Sequence, residues 1–269
     1  YWWTGEIMPA KVILNPYANR WNAKKRWPEA IAALRGAGVD FELAVTEGPG
    51  HAAELAEAAA RGGFSPIIVA GGDGTIGEVV NGLARAQGIG PWGPLGIIPL
   101  GTANDLAVNT KLPLDLPDAD RVIAAGNTRP MDVISVNGKY FDNNSAIGLE
   151  PLVTTIQMRI TWIQGVLRYL TAAVVGILSN PHWQAQLEWD GGQYDGPISL
   201  VSVGNGAVTG GLFYMAPHAS PFDGKLTFML GHRSSSLGLF RLLPETMKPA
   251  GNFVNLPGIQ EVHATWLKI

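Results

Sequence analysis

The stretch "VAGGDGTIGEVVNG", Val69 to Gly82, decides how this chain is read. An apolar run stops at a glycine corner, and a helical pattern begins on the other side. A continuous apolar run of this length suits a strand buried on both faces. Glycines at its end let the backbone turn tightly and bring N–H groups close to phosphate oxygens. The helix that follows adds its positive N-terminal end. Asp73 does not fit simple phosphate cradling, because a carboxylate repels phosphate unless a cation or a proton-bearing group stands between them. Both occur in phosphoryl transfer, where Mg²⁺ bridges phosphates and an acceptor hydroxyl loses a proton. The plainer alternative is an Asp bonded to turn amides.

Outward from this corner the first half alternates. "KVILNP" (Lys11–Pro16), "DFELAVTE" (Asp40–Glu47), "SPIIVAGG" and "PLGIIPLG" (Pro94–Gly101) read as strands. Ala23–Arg35, His51–Arg61 and Thr75–Ala86 carry apolar residues at helical spacing. This β-α order implies a parallel sheet with right-handed crossovers. "TIGE" (Thr75–Glu78) also fits a capping box, with Thr75 on a backbone N–H and Glu78 reaching back. "PLGTANDLA" (Pro99–Ala107) ends the next strand. Adjacent strand ends lie about 5 Å apart, so Thr102, Asn104 and Asp105 are expected to face the same crevice as Asp73. Asn104 has a plainer reading as the cap of a short helix. "NPYAN" (Asn15–Asn19) ends the first strand and is expected at the same crevice.

The pattern changes near Gly126–Pro130. Beyond it Met131–Val136, Trp183–Trp189, Ile198–Val203, Lys225–Leu230 and Val262–Ile269 read as strands separated by turn signals such as "VNGKY" and "WDGGQY". The expectation is residues 1–129 as an α/β nucleotide-binding domain and 130–269 as a mostly antiparallel β domain. Arg159–Pro181 is long and apolar, but Arg159, Gln164, Gly165 and Arg168 argue against a membrane span. It reads as a buried or half-buried helix over the β domain, with a membrane-contacting face as the other reading. For Ser236–Leu243 both placements stay open.

Composition narrows the classes. The 269 residues suit one large or two ordinary domains. Charged residues are 15%, against roughly 25% in typical soluble domains, and nine Trp accompany them. That balance suits contact with lipid or an apolar substrate, and equally a compact core. The net charge of −3 gives no case for nucleic acid. Without cysteine there is no disulfide and no thiolate chemistry. The start "YWWTGEIMPAKVILNP" shows no signal peptide. "GDGTIG" matches the dinucleotide fingerprint, but at the third βα turn rather than the first and without the ribose-binding acid. No Walker motif, H-E-x-x-H or G-x-S-x-G occurs, and the five His are scattered.

Together these pieces resemble the diacylglycerol kinase catalytic family, which includes bacterial lipid kinases and sphingosine kinases. The resemblance rests on "NPYAN", "TEGPGHA" (Thr46–Ala52), "GGDGTIGEVVNGL" (Gly71–Leu83) and "PLGTANDLA". In the second half it rests on "DNNSAIGLE" (Asp142–Glu150), "VGNGAVTGG" (Val203–Gly211) and "APHASPFDGKL" (Ala216–Leu226). GGDGT alone is shared with NAD kinases; GTAND and DGKL favour the lipid kinases. The resemblance implies an N-terminal α/β domain with a parallel sheet, a C-terminal β-sandwich domain and a cleft between them.

It also implies ATP as donor and Mg²⁺ as helper. Nucleotide contacts then fall on Asn15, Pro16, Tyr17, Ala18 and Asn19, on Thr46, on Gly71, Gly72, Asp73, Gly74, Thr75, Ile76 and Gly77, and on Thr102. Asp73 and Asp105 take the catalytic positions beside the phosphates. A structural Mg²⁺ in the second domain maps to the carbonyls of Ser220 and Lys225 and the carboxylate of Asp223, although Asp223–Gly224 also reads as an ordinary hairpin turn. The acceptor is a lipid presented at a membrane surface, and the chain is cytoplasmic or peripheral, with no transmembrane segment. A homodimer stays open. The alternatives are phosphorylation of a soluble acceptor in the manner of NAD kinases, and a nucleotide-binding relative without catalysis.

Three departures from the family pattern stand out. Phe222 replaces the first of two acids in the metal loop. Asn19 replaces a glycine in the first phosphate loop. The D-G-E-like segment that supplies a general base in bacterial relatives is absent before "VHATWLKI": either the sequence stops short of it or the role is missing. No residue is therefore named as the established base, and Asp73 is the remaining candidate for the acceptor proton.

Overall fold

The computed structural model describes residues 9–163, 165–179, 181–232 and 234–269. The chain divides into two compact units, 1–142 and 143–269.

In the first unit four strands are joined by helices: β1 (Ala10–Leu14), α1 (Asn22–Gly36), β2 (Phe41–Val45), α2 (His51–Arg61), β3 (Ile67–Gly71), α3 (Asp73–Gln87), β4 (Leu95–Pro99), α4 (Asp105–Asn109) and α5 (Leu116–Ala125). The sheet is parallel throughout, in the order β2-β1-β3-β4. Its polarity explains the apolar run at 67–71. Ile67 and Val69 pack with Ile76, Val79 and Val80 of α3 on one face, and Ile68 and Ala70 pack with Ala30 and Leu34 of α1 on the other. The helices α2 and α3 sit close because Gly82 carries no side chain: a Cβ there would lie 2.2 Å from the Ala53 carbonyl oxygen. Connections leave β1 in opposite directions, so the switch point of the sheet lies between β1 and β3, where ligands of open α/β sheets bind.

Three local readings change. The helix α3 starts at Asp73, two residues before Thr75, directly from Gly72 in extended conformation. The helix α5 is absent from the sequence reading, although Asp115 caps it by accepting from the Asp118 amide and Gly126 ends it at φ 66°. The hairpin β5 (Ile134–Val136) and β6 (Lys139–Phe141) turns at Asn137–Gly138 with positive φ at both, as "VNG" predicts. That hairpin belongs to the first unit. The Asn81 side chain donates to the Tyr140 carbonyl at 2.7 Å and accepts from the Tyr140 amide at 3.0 Å, fastening β6 to α3. The sequence division falls at 129/130; the compact units part at 142/143.

The second unit holds β7 (Asn144–Gly148), α6 (Leu149–Arg159), α7 (Gly165–Leu178), β8 (Trp183–Trp189), β9 (Gly192–Gly204), β10 (Leu226–His232), α8 (Ser236–Leu242), β11 (Ile259–Ala264) and β12 (Leu267–Lys268). The sheet is antiparallel, ordered β11-β10-β9-β8-β12, with β7 also on β9. The expected strand Val262–Ile269 is broken in two. Asp190 Oδ2 accepts from the Thr265 amide at 2.8 Å and the Thr265 hydroxyl at 2.6 Å, fixing the turn between the pieces. Since β11 pairs β10 and β12 pairs β8, two residues connect opposite ends of the strand order. The three residue steps from Ala264 to Leu267 span at most about 11 Å, so the sheet curls to bring its edges together. Trp189 and Phe228 touch edge to face at 5.3 Å inside that curl. This is the sandwich-like fold expected. Helices α6 to α8 cover one face through Val153, Ala173, Ile177 and Leu239 against Leu200 and Met229. Among the described residues no helix is long and apolar enough to cross a membrane; the apolar 159–181 segment is interrupted, with α6 ending at Arg159 and α7 starting at Gly165.

One buried acid in the first unit has a clear pH consequence. Asp120 of α5 is 1% exposed, and among the described residues neither carboxyl oxygen has a hydrogen-bond partner. Burial, with the charge of Glu29 adding, pushes its pKa up to about 6. The folded protein therefore holds this proton more tightly than the unfolded chain. Stability from this group is full below about pH 4 and is lost as pH rises through 6. Asp120→Asn is expected to flatten the stability profile between pH 4 and 7 and to stabilise the protein at pH 8 by on the order of 2 kcal/mol. Urea unfolding across that range checks this; parallel profiles for parent and variant would contradict it.

Candidate functional site

All four strands of the parallel sheet end at one edge, and the loops that follow them line a crevice of about 600 Å³. The geometry begins with two glycines. A Cβ on Gly72 would lie 2.9 Å from the Gly101 Cα, and one on Gly101 would lie 2.5 Å from the Gly72 Cα. Only bare backbone lets the loops after β3 and β4 touch. Asn104 holds the second loop in place, accepting from the Gly101 amide at 2.8 Å and donating to its carbonyl at 3.3 Å.

Each loop is tied by a side chain from another. Asn15, after β1, donates to the Thr75 hydroxyl at 2.9 Å and accepts from the Tyr17 amide at 3.0 Å. Glu78 accepts from the amides of Gly50 and Ala52 at 2.9 and 3.2 Å. It thus binds the start of α2 and does not reach back to its own helix, so the capping-box reading of Thr75–Glu78 does not hold. The α3 cap position is Gly72, with no side-chain cap. Asn104 likewise does not cap α4 with its side chain; Asp73 Oδ1 does so from α3, accepting from the Leu106 amide at 3.1 Å. Thr102 donates to Asn19 Oδ1 at 3.2 Å, closing the ring between the loops after β4 and β1. Asn19 sits at φ 50°, the left-handed region that glycine occupies freely and that Asn tolerates better than other residues.

Of the residues carried over from the family, Asn15, Tyr17, Ala18, Asn19, Thr46, Gly72, Gly74, Thr75 and Thr102 line this crevice. Pro16 is half-buried behind them and Gly71 is buried at the end of β3. The Ile76 side chain is 1% exposed in the core, and the amides of Thr75 and Ile76 bond to the Gly72 carbonyl. The leading amides of α3, at Asp73 and Gly74, occupy the positions that lack an intrahelical partner. Gly101, Glu47, Gly48, Pro49 and Glu78 line the crevice too and were not singled out as contacts. "GPG" after Thr46 was the available signal for the middle ones.

The acids form a second layer. Asp105, 5% exposed, opens α4 beside the Leu106 amide that Asp73 accepts. Asp142, also 5% exposed, lies over Gly77, where a Cβ would be 3.8 Å from its Oδ1. Burial pushes its pKa up to about 6, with the charge of Asp73 adding to the rise. Sequence reading missed Asp142; only the β5–β6 hairpin on α3 brings it here. Among the described residues no three acids or histidines form a metal cluster by themselves. An all-oxygen set of this kind still suits Mg²⁺, which takes one or two carboxylates and completes its shell with phosphates and water.

In the second unit Asp223 Oδ1 accepts from the Lys225 amide at 3.0 Å, and Gly224 follows at φ 73°. Asp223 and Lys225 are exposed and Ser220 is half-buried. This is a turn leading into β10 and not the hairpin turn, since no strand directly precedes it among the described residues; the Asp223 carboxylate and the nearby carbonyls are hard oxygen donors. The same unit has a small apolar pocket of about 50 Å³ between α6, α7, α8 and the sheet, lined by residues such as Val153, Ala173, Met215 and Met229. Its polar members are Glu150, Tyr169 and Thr246. Burial raises the Glu150 pKa, against hydrogen bonds from Ser202 at 3.0 Å and Asn144 at 2.8 Å. Burial and Glu150 push Tyr169 up to about 12.

Comparison with known proteins agrees with this arrangement. Residues 9–136 match the diacylglycerol kinase catalytic domain, and 144–269 match the YegS C-terminal NAD kinase beta sandwich-like domain. A Bacillus subtilis (strain 168) protein named diacylglycerol kinase is 33% identical over 263 residues, covering 97% of this chain and 85% of the relative. The chain belongs to the diacylglycerol kinase catalytic family. A Staphylococcus aureus (strain MRSA252) protein of the same name is 30% identical over 255 residues, covering 93% of this chain and 78% of its own length. A crystal structure of a diacylglycerol kinase from Bacillus anthracis (strain Sterne) superposes with TM-score 0.77 at 25% identity, over 98% of this chain and 86% of that one.

The glycine contact makes a direct prediction. Gly101→Ala places a Cβ against the Gly72 backbone and 2.6 Å from Asn104 Oδ1. The variant is expected to lose about 1–3 kcal/mol of stability. Chemical denaturation measures this, and a variant as stable as the parent would contradict the contact.

Proposed function

We propose that this chain is an ATP- and Mg²⁺-dependent lipid kinase that phosphorylates a hydroxyl of diacylglycerol or a related lipid alcohol. The observation that carries the reading is the crevice at the switch point of the first unit. There a helix N-terminus, small residues and Asp73 share one sheet edge. The names of the relatives support a diacylglycerol-type acceptor.

In this proposal the triphosphate of ATP lies along Gly72, Gly74 and Thr75, where the positive end of α3 favours it. Asn15, Tyr17 to Asn19, Thr46 and Thr102 form the walls. Asp73 and Asp105 would hold Mg²⁺ together with phosphate and water oxygens, and the bound ion would neutralise phosphate charge. The acceptor oxygen bonds to the γ-phosphorus, the bond to the β–γ bridging oxygen breaks, and ADP leaves with that electron pair. The hydroxyl proton passes to a carboxylate, with Asp73 as the candidate. Catalysis is then mainly positioning and charge stabilisation. A second Mg²⁺ at Ser220, Asp223 and Lys225 has a structural role.

Asp73→Asn tests the chemistry apart from the fold. The amide oxygen still accepts from Leu106 and keeps the α4 cap, while the negative charge disappears. Transfer from radiolabelled ATP to lipid extract is expected to fall about 10²–10⁴-fold, with the melting temperature nearly unchanged. Full activity of the variant would contradict the role, and label on NAD instead of lipid would overturn the acceptor class.

A further inference from the structure

Among the described residues the crevice is lined by two acids, Glu47 and Glu78, and by no Lys, Arg or His. Glu78 is accounted for, because each of its carboxylate oxygens accepts a backbone amide, from Gly50 and from Ala52. Glu47 is not. It is exposed, and among the described residues its carboxylate enters no ion pair. A crevice that only cradled phosphates would gain nothing from such a charge.

The backbone beneath this acid is held on both sides. The Thr46 amide donates to the Leu14 carbonyl at 2.9 Å, extending the β1–β2 ladder by one residue. The Glu47 amide donates to Nδ1 of His51 on α2 at 3.0 Å. Further along, the His51 amide donates to the Gly48 carbonyl at 3.3 Å, and Glu78 of α3 holds Gly50 and Ala52. A short surface connection with two glycines is ordinarily mobile; this one is braced by side chains from two helices. An acceptor fixed before its ligand arrives loses less freedom on binding.

Register shows what lies within its reach. Leu14 of β1 is level with Val45 of β2 on one side and with Ala70 of β3 on the other. Glu47 and Gly72 each stand two residues past that level, on strand ends two spacings apart, about 10 Å. A phosphate at the start of α3 is then farther from Glu47 than the Debye length of about 8 Å at physiological salt, so their repulsion is largely screened. The same separation leads from the phosphates of a nucleotide to its sugar. Ribose offers two adjacent hydroxyl donors, and an ionised carboxylate is an acceptor with two oxygens. Dinucleotide-binding sheets use an acid for the ribose hydroxyl as well. In those sheets the acid follows the glycine corner in sequence; here β2 precedes it.

We propose that Glu47 is the ribose acceptor of the nucleotide site: its carboxylate takes hydrogen bonds from the 2′ and 3′ hydroxyls of ATP, and His51 is a positioning residue that acts through the Glu47 amide. The inference rests on the ATP-dependent kinase reading above and deepens it, assigning the part of the crevice that lies away from the phosphates.

The test is equilibrium binding to the full chain, by calorimetry with Mg²⁺ and no lipid, of ATP, 2′-deoxy-ATP, 3′-deoxy-ATP, GTP and inorganic tripolyphosphate. The parent is expected to bind ATP about tenfold or more tightly than either deoxynucleotide. Glu47→Ala is expected to bind all three at the parent's deoxynucleotide level, with tripolyphosphate bound no more weakly than by the parent and the melting temperature unchanged. His51→Leu is expected to erode the ribose discrimination, and His51→Asn, which returns an acceptor near the Nδ1 position, to restore most of it. A purely structural His51 would move the melting temperature and leave that ratio alone. In turnover of a water-soluble short-chain diacylglycerol, Glu47→Ala is expected to raise KM for ATP with kcat nearly unchanged. A parent that binds ATP and the deoxynucleotides alike, or a Glu47→Ala variant that keeps the preference for ATP over them, would overturn the proposal and leave the nucleotide reading standing. So would a variant that loses only its preference for ATP over GTP, because Glu47 would then read the base. A chain that binds neither ATP nor tripolyphosphate would sink the kinase reading, and the ribose assignment with it.

Discussion

The site depends on the contact of Gly72 with Gly101. Two parallel strands deliver their loops side by side, and a loop with side chains at the contact would keep them apart. With none, the backbones meet within the space a single methyl would need. Everything else at the edge follows from this approach. Asp73 reaches the Leu106 amide, Asn104 clamps Gly101, and Thr102 comes within reach of Asn19. The crevice is therefore a ring of loops in which each member is held by another.

That mutual bracing explains what was and was not legible in the sequence. The parallel sheet was legible because burial on both faces forces an unbroken apolar run at 67–71, and the helices between such runs carry their own spacing. The corner was legible because glycines followed by a helix have few other uses. Glu78, Asn104 and Asp73 were misread or left open for one reason. Each has a respectable local partner in a cap or turn; Glu78 and Asp73 instead bond to a different loop, and Asn104 turns back onto Gly101. Short-range rules rank local partners first, since only the assembled sheet edge reveals distant ones. Asp142 was out of reach for the same reason: its place over Gly77 depends on Asn81 fastening a hairpin that lies well along the chain.

The second unit shows the corresponding limit for strands. The apolar character of 262–269 was visible, but the break was not. It depends on Asp190, a turn residue distant in sequence, whose carboxylate both Thr265 donors choose. That break sends β12 to the far edge and closes the curl. Around it, α7 serves two surroundings at once. Its inner side completes the apolar pocket, and its outer side leaves Leu167, Val175 and Leu178 exposed. A composition low in charge and rich in Trp finds its physical meaning there: part of the apolar surplus lies on the outside of the fold.

The account as a whole stands on where the triphosphate binds. A crystal structure with a non-hydrolysable ATP analogue and Mg²⁺ measures this directly. The account predicts phosphate density against the Gly72–Thr75 backbone at the start of α3, with Asn15 and Thr102 beside it. A nucleotide bound away from that sheet edge, with the crevice between the loops left to solvent, would contradict it.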